Sequence, residues 1–201
     1  LVLFALTATT GHAITYYSRA TGNWNAATTW STAGCGGAAA AGTPTTNDVV
    51  FICNGNTVSV TANVTVNSVT IQNGGTLQTG TTGGGANRTV TINGNFVILN
   101  GGTYIHNNNQ VAATTIFNGT ENFEPTSTFR VNAWSGTGAS LVTGCSSNFG
   151  YVTLNWNPGL FYWNNNGLGY TRTIAGTFTV NTNCATYLDN TAGSKTFSIN
   201  Q

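Results

Sequence analysis

The sequence predicts an all-β fold. Three observations carry that expectation: an almost uncharged composition, a bias toward β-branched and aromatic residues, and short motifs that recur along the chain. Only 4% of the 201 residues are Asp, Glu, Lys or Arg, against about 25% in an ordinary soluble domain. The polar surface must therefore come from neutral side chains, and the chain holds 38 Thr, 28 Asn and 26 Gly. Disordered chains are usually charged and poor in aromatics, whereas this one is 11% Phe, Trp and Tyr. Val, Ile, Thr and aromatic side chains suit a pleated, half-buried surface. The formal net charge is +1, with Arg19, Arg88, Arg130, Arg172 and Lys195 scattered, so the clustered cations needed to neutralise nucleic-acid phosphates are missing.

Taken in order, residues 1–13 read as the remnant of a secretory signal. An apolar run, Leu1–Leu6, gives way to Gly11-His12-Ala13, with small side chains at the two positions a signal peptidase inspects. Cleavage there would leave Ile14 as the mature N-terminus. The competing reading makes Val2–Thr7 a first strand of the fold. No other apolar run approaches ~20 residues, so no membrane span is expected. Residues 14–48 hold Tyr16, Tyr17, Trp24 and Trp30, then a small-residue stretch from Gly34 to Gly42 and a turn at Thr43-Pro44. This segment is expected to cap the open end of the repeats C-terminal to it, since an uncovered terminal rung exposes both core and strand edge.

Residues 49–201 are expected to form repeats. Strands are predicted at Val49–Cys53, Thr57–Thr61, Val64–Gln72, Thr89–Ile92, Phe96–Leu99, Thr114–Phe117, Phe129–Val131, Val152–Trp156, Thr171–Ile174 and Thr177–Val180. Asn-Gly pairs begin at Asn54, Asn73, Asn93, Asn100, Asn118 and Asn166, and such pairs readily supply the positive φ of tight turns. Ile71-Gln-Asn-Gly-Gly-Thr-Leu77 matches Ile98-Leu-Asn-Gly-Gly-Thr-Tyr104 at an offset of 27. Thr91-Ile-Asn-Gly-Asn-Phe96 matches Thr173-Ile-Ala-Gly-Thr-Phe178 at an offset of 82, close to three periods. One rung of a parallel β-solenoid has this length, and Asn and Thr at equivalent positions can hydrogen-bond up the stack. The alternative is an antiparallel β-sandwich with hairpins at the Asn-Gly turns. The strand pattern runs to Ser198-Ile-Asn-Gln201, and further rungs or another domain are expected beyond it.

The four cysteines, Cys35, Cys53, Cys145 and Cys184, allow three pairings. No C-x-x-C pair is present, so zinc is not indicated. Local loop closure favours Cys35–Cys53 and Cys145–Cys184 over free buried thiols.

The stretch Ile14–Trp30, ITYYSRATGNWNAATTW, resembles the mature N-terminus of large Bacteroidetes-type secreted surface proteins. Asn47–Val58 and Val69–Leu77 continue the likeness. The resemblance implies a capping region leading into β-helical rungs, in adhesin-like proteins often exported by type IX secretion. Its motifs are architectural and imply no active site.

Chemistry-bearing residues are few. Asp48, Glu121, Glu124 and Asp189 are the only carboxylates. Glycosidases need two that face one another, and Glu121 and Glu124, three apart, point to opposite faces of a strand. Asp48, ahead of an apolar strand, is expected to order a turn. His106 is expected on a surface turn; no G-x-S-x-G elbow accompanies it, and carboxylates are too few for a calcium site. No cofactor, metal or enzymatic activity is expected. The one patch with binding chemistry runs from Tyr151 to Tyr170, where Trp156, Tyr162 and Trp163 stand near Asn164 and Asn165. Flat rings stack on pyranose faces while amides bond hydroxyls, so these five residues are the candidate glycan platform. The competing reading places the rings in the core. The function expected is a non-enzymatic extracellular structural or adhesive segment, with surface glycans or other copies of the chain as partners. The alternatives are a carbohydrate-binding module or polysaccharide-active enzyme fragment of β-helix type, and a self-assembling extracellular fibre subunit.

Overall fold

The computed structural model describes residues 12–80, 88–107, 115–132, 142–143, 150–154, 159–164, 171–180, 184–189 and 196–199. The first strands are β1 (Thr15–Ser18), β2 (Gly22–Asn23) and, after a 3-10 turn at Ala27–Thr29, β3 (Trp30–Ser31). Then come β4 (Val49–Ile52), β5 (Thr57–Val60), β6 (Val64–Val66), β7 (Ser68–Ile71), β8 (Thr76–Thr79), β9 (Val90–Ile92), β10 (Phe96–Ile98), β11 (Thr103–His106) and β12 (Thr115–Phe117). The remainder are β13 (Glu121–Phe123), β14 (Thr128–Val131), β15 (Val142–Thr143), β16 (Tyr151–Leu154), β17 (Gly159–Asn164), β18 (Thr171–Ile174), β19 (Phe178–Val180), β20 (Cys184–Asp189) and β21 (Thr196–Ile199). No α-helix occurs among the described residues, and the expected all-β class holds.

Three sheets receive the chain in rotation. The first has the order β13-β10-β7-β4-β1-β3, the second β19-β16-β14-β11-β8-β5-β2, and the third β15-β12-β9-β6. Two further parallel pairs, β17-β20 and β18-β21, form separate two-stranded sheets. From β4 onward consecutive strands enter different sheets, and each strand pairs with the one laid down three places earlier or later along most of the chain. Every described pairing is parallel except β1 with β3. The strands flanking Asn73-Gly74 belong to different sheets, as do those flanking Asn100-Gly101. The hairpins that a sandwich requires are therefore not formed at these turns. Parallel pairing already begins at Thr15, opposite Val49.

Register explains the core. Each strand alternates inward and outward residues, so parallel pairing stacks like on like. Val50, Val69 and Phe96 lie in one inward file, and Ile52, Ile71, Ile98 and Phe123 in the next. In the second sheet Val58, Leu77, Tyr104, Phe129 and Val152 form a third. Nearly all of these are fully buried, and burying one such aliphatic side chain is worth about 1.5–3 kcal/mol. Aromatic rings gather at two levels. Trp24 and Trp30 meet edge to face at 5.0 Å, with Trp30 Nε1 donating to Trp24 O at 2.6 Å. Further along, Phe96, Tyr104, Phe123 and Phe129 pack with centroids 5.2–6.2 Å apart.

Val64–Gln72, expected as one strand, is two. β6 and β7 lie in different sheets with a corner at Asn67, where Asn67 N and Ser68 N donate to Asp48 O at 3.0 and 3.3 Å. The inward residues slip phase there, from Val64 and Val66 to Val69 and Ile71, and only a bend keeps both pairs inside. The match at offset 82 is also not a stacking relation. Phe96 belongs to the first sheet and Phe178 to the second, paired with Val152. The offset of 27 does survive as register, since Ile71 pairs with Ile98 and Leu77 with Tyr104.

The Asn-Gly corners divide into two kinds. Gly74 and Gly101 have φ of 71° and 77°, the left-handed region that favours glycine. The glycine after each serves a different need: a Cβ on Gly102 would sit 2.8 Å from Ile71 O. Gly119 is likewise a matter of space, because its Cβ would collide with the Gly94 backbone. Between corners, amides and hydroxyls join neighbouring levels. Asn118 Nδ2 donates to Asn93 Oδ1 at 2.9 Å, Thr120 Oγ1 to Asn95 Oδ1 at 2.6 Å and Thr126 Oγ1 to Asn100 Oδ1 at 2.9 Å.

The Cys35–Cys53 disulfide is formed, with Cα atoms 5.9 Å apart, and it ties the loop after β3 to the end of β4. Cys145 lies outside the described residues, as does the side chain of Cys184, so the second expected pair falls there too.

Two stability outcomes are expected. Gly102→Ala should cost about 1–3 kcal/mol because backbone must move, whereas the outward Thr103→Val should stay within about 0.5 kcal/mol; urea midpoints at constant slope measure both. Reducing Cys35–Cys53, or replacing both residues by Ser, should lower stability by about 3 kcal/mol for a loop of 18 residues, read from the same titration.

Candidate functional site

The second sheet carries an outward file of hydroxyls that ends on an aromatic ring. Thr57, Thr76, Thr103, Thr128 and Tyr151 are register partners in succession. Their strands place Val58, Leu77, Tyr104, Phe129 and Val152 inward, which turns this file to the outside. The four threonines are half-buried, and Tyr151 is 38% exposed. The Tyr151 ring lies against Gly176, where a Cβ would strike its edge. Thr153, opposite Arg130 and Thr179 in register, stands on the same face two residues on.

A second aromatic surface lies on the outer face of the first sheet. Tyr17 and Phe51 are register partners, and their rings stack at 5.2 Å with only 13° between planes. Both are half-buried. Thr70 and Val97 extend the same file. Sequence reasoning placed Tyr17 in its own segment and missed the pair. The two rings are 34 positions apart, outside the 27-residue spacing, because the loop from Ser31 to Asp48 lengthens this level.

The candidate platform is only partly within reach of the structure. Trp156 and Asn165 lie outside the described residues. Tyr162, Trp163 and Asn164 belong to β17, whose backbone pairs with β20 through Tyr162 with Tyr187 and Asn164 with Asp189; their side chains are outside the described residues. Tyr151, at the start of the same sequence patch, is the member whose ring is described, and it faces out.

The carboxylates do separate tasks. Asp48 is 3% exposed and orders the turn before β4, as expected. Its Oδ2 accepts from Thr45 N at 2.7 Å and Thr45 Oγ1 at 2.8 Å, and its Oδ1 accepts from Ile14 N at 2.8 Å. Glu124 Oε2 accepts from Asn100 N at 2.7 Å, which ties it to a corner. Glu121 begins β13, opposite Phe96 in register. No cluster of three His, Cys, Asp or Glu able to hold a metal occurs among the described residues.

His106 is not on a surface turn. It closes β11 on the inward side, fully buried, between Thr79 and Val131 in register. Its Nδ1 lies 3.3 Å from Thr79 Oγ1. Asn107 beside it donates from its backbone to Thr79 O at 3.2 Å, and Asn132 Nδ2 donates to Asn107 Oδ1 at 3.0 Å. The signal was present in the sequence: His106 is two residues from Tyr104, so alternation puts both inside. Burial lowers the imidazole pKa from 6.5 to about 3, because the charged form loses its hydration. The unfolded chain therefore takes up a proton near pH 6.5 that the folded chain refuses until about pH 3. Stability is full above the unfolded value and falls through that window by about 1.4 kcal/mol per unit. His106→Leu is expected to flatten this slope in urea titrations between pH 6.5 and 3.5; an unchanged slope would refute the assignment.

The chain matches no protein-family model, no curated protein and no solved structure.

Proposed function

We propose that this chain is a stretch of an extracellular, non-enzymatic β-solenoid that serves as a structural and adhesive rod. The observation that carries the reading is the rotation of consecutive strands through three parallel sheets, with inward apolar files and outward neutral polar files. Such a body gains length by adding levels and repeats each surface group along its axis. Residues 14–48 act as the cap in this reading: Trp24 and Trp30 fill the end of the core, and β3 turns back antiparallel on β1. Export is supported by the Cys35–Cys53 disulfide, which suits an oxidising compartment, and by the signal-like residues 1–13. No helix among the described residues is long and apolar enough to cross a membrane. The resemblance of Ile14–Trp30 to Bacteroidetes-type surface proteins points the same way.

Carbohydrate is the ligand class favoured for the adhesive surface. Tyr151 exposes its ring beside a file of threonine hydroxyls, and Tyr17 with Phe51 offers a second flat face. Trp156, Tyr162, Trp163, Asn164 and Asn165, which follow Tyr151 in sequence, are the further platform residues in this reading. Each contact is weak, and avidity comes from repetition. Beads coated with the chain are expected to bind a glycan array at least ~100-fold more tightly than the free chain. Tyr151→Ala and Trp163→Ala should each reduce that retention several-fold. Absence of retention on every glycan would sink the adhesive reading, and polysaccharide cleavage that disappears in Glu121→Gln would sink the non-enzymatic one.

A further inference from the structure

Asp48 is a buried carboxylate whose described partners are all neutral: the backbone and hydroxyl of Thr45, and the backbone N–H of Ile14. A carboxylate removed from water without an opposite charge is held by its hydrogen bonds alone, so a cation placed beside it would meet an unpaired charge. The donor at Oδ1 is unusual in one respect. Ile14 directly precedes β1, and its carbonyl accepts from Val49 N at 3.0 Å, while His12 and Ala13 before it are exposed. It is also the residue that directly follows the small-residue motif ending at Ala13.

We infer that the Ala13–Ile14 bond is a processing site and that the new Ile14 α-ammonium becomes the ion-pair partner of Asp48. The inference rests on the export reading above. A secretory peptidase would add water across the amide: oxygen goes to the Ala13 carboxylate, and the Ile14 nitrogen leaves as an amine that takes up a proton. A single N–H donor 2.8 Å from Asp48 Oδ1 is thereby replaced by a cation with three donors, with no movement of the strand. Cleavage thus completes a charge pair that the precursor lacks, and it locks β1 onto the turn before β4. Among the described residues, His12 lies two positions before Ile14 and is removed by the cut, and the Tyr16 phenol is raised by burial and by the Asp48 charge.

The pH dependence of the pair has a definite sign. An α-amine has a pKa of about 7.7–8.0 in an unfolded chain, and pairing with a carboxylate raises it in the folded one. The added stability is complete below about pH 7.5 and is lost as pH rises through the folded value.

The test uses the full chain with a protease recognition sequence that cuts immediately before Ile14, compared before and after cutting. Cutting is expected to lower the unfolding constant about tenfold near pH 7, read as a Tm rise of ~3–6 °C, and the gain should fade toward pH 10. Acetylation of the new Ile14 amine should restore the uncut behaviour, as should Asp48→Asn if that variant folds. Equal Tm before and after cutting would overturn the ion pair. Mass spectrometry of the exported protein supplies the second arm. A chain starting at Ile14 supports the site, and an exported chain starting elsewhere overturns it. Protein that stays inside the cell uncut overturns export instead, and the cut-against-uncut comparison still decides the Asp48 pair.

Discussion

Parallel hydrogen bonding between successive visits to the same sheet is the constraint on which everything else depends. It fixes neighbouring strands ~4.8 Å apart and sets each residue beside the one that occupies its position a level earlier or later. The separations are 19 residues for Ser59 and Gln78, 27 for Thr79 and His106 and 25 for Asn107 and Asn132. A side chain therefore answers to its file before it answers to its neighbours in sequence. Ile52, Ile71, Ile98 and Phe123 share one inward slot because the register sets them there, and Asn73 needs a bare Gly101 beside its amide.

The same geometry accounts for the scarcity of charge. An ionised residue at an outward position, repeated level after level, would stand about 5 Å from its own kind, and like charges at such spacing repel. Threonine in the file from Thr57 to Thr128 avoids this while keeping a hydroxyl on the surface. Asparagine does better at the corners, since an amide is both donor and acceptor and can bond its own kind, as Asn118 does with Asn93. Glu124 is charged and tied down, accepting from the Asn100 backbone.

Much of this was legible. β-branched composition and the pair of Ile-x-Asn-Gly-Gly-Thr motifs led to strands, turns and a spacing that reappear as register. Local loop closure led to Cys35–Cys53, and the place of Asp48 before an apolar strand led to its turn. Other features were hidden for identifiable reasons. The corner at Asn67 has no glycine, and its only mark is a slip in the phase of Val64, Val66, Val69 and Ile71. The resemblance between Thr91–Phe96 and Thr173–Phe178 is real as a local shape, strand then turn then strand, but the same shape serves corners entering different sheets. His106 is hidden from a reading by residue type, which puts histidine at the surface; only its alternation with Tyr104 places it inside. The Tyr17–Phe51 stack depends on a level lengthened by the loop that Cys35 anchors, which no fixed period reveals.

That anchored loop has a mechanical consequence. When a parallel ladder is pulled apart along its hydrogen bonds, strands detach one after another, and each released strand adds chain to the extended thread. Residues between Cys35 and Cys53 cannot join that thread while the sulfurs are bonded. At ~3.3–3.6 Å per residue, a span of 18 residues withholds roughly 60 Å of contour length. The first level would then yield a shorter extension step than its sequence length implies, and the missing length would appear only under reducing conditions.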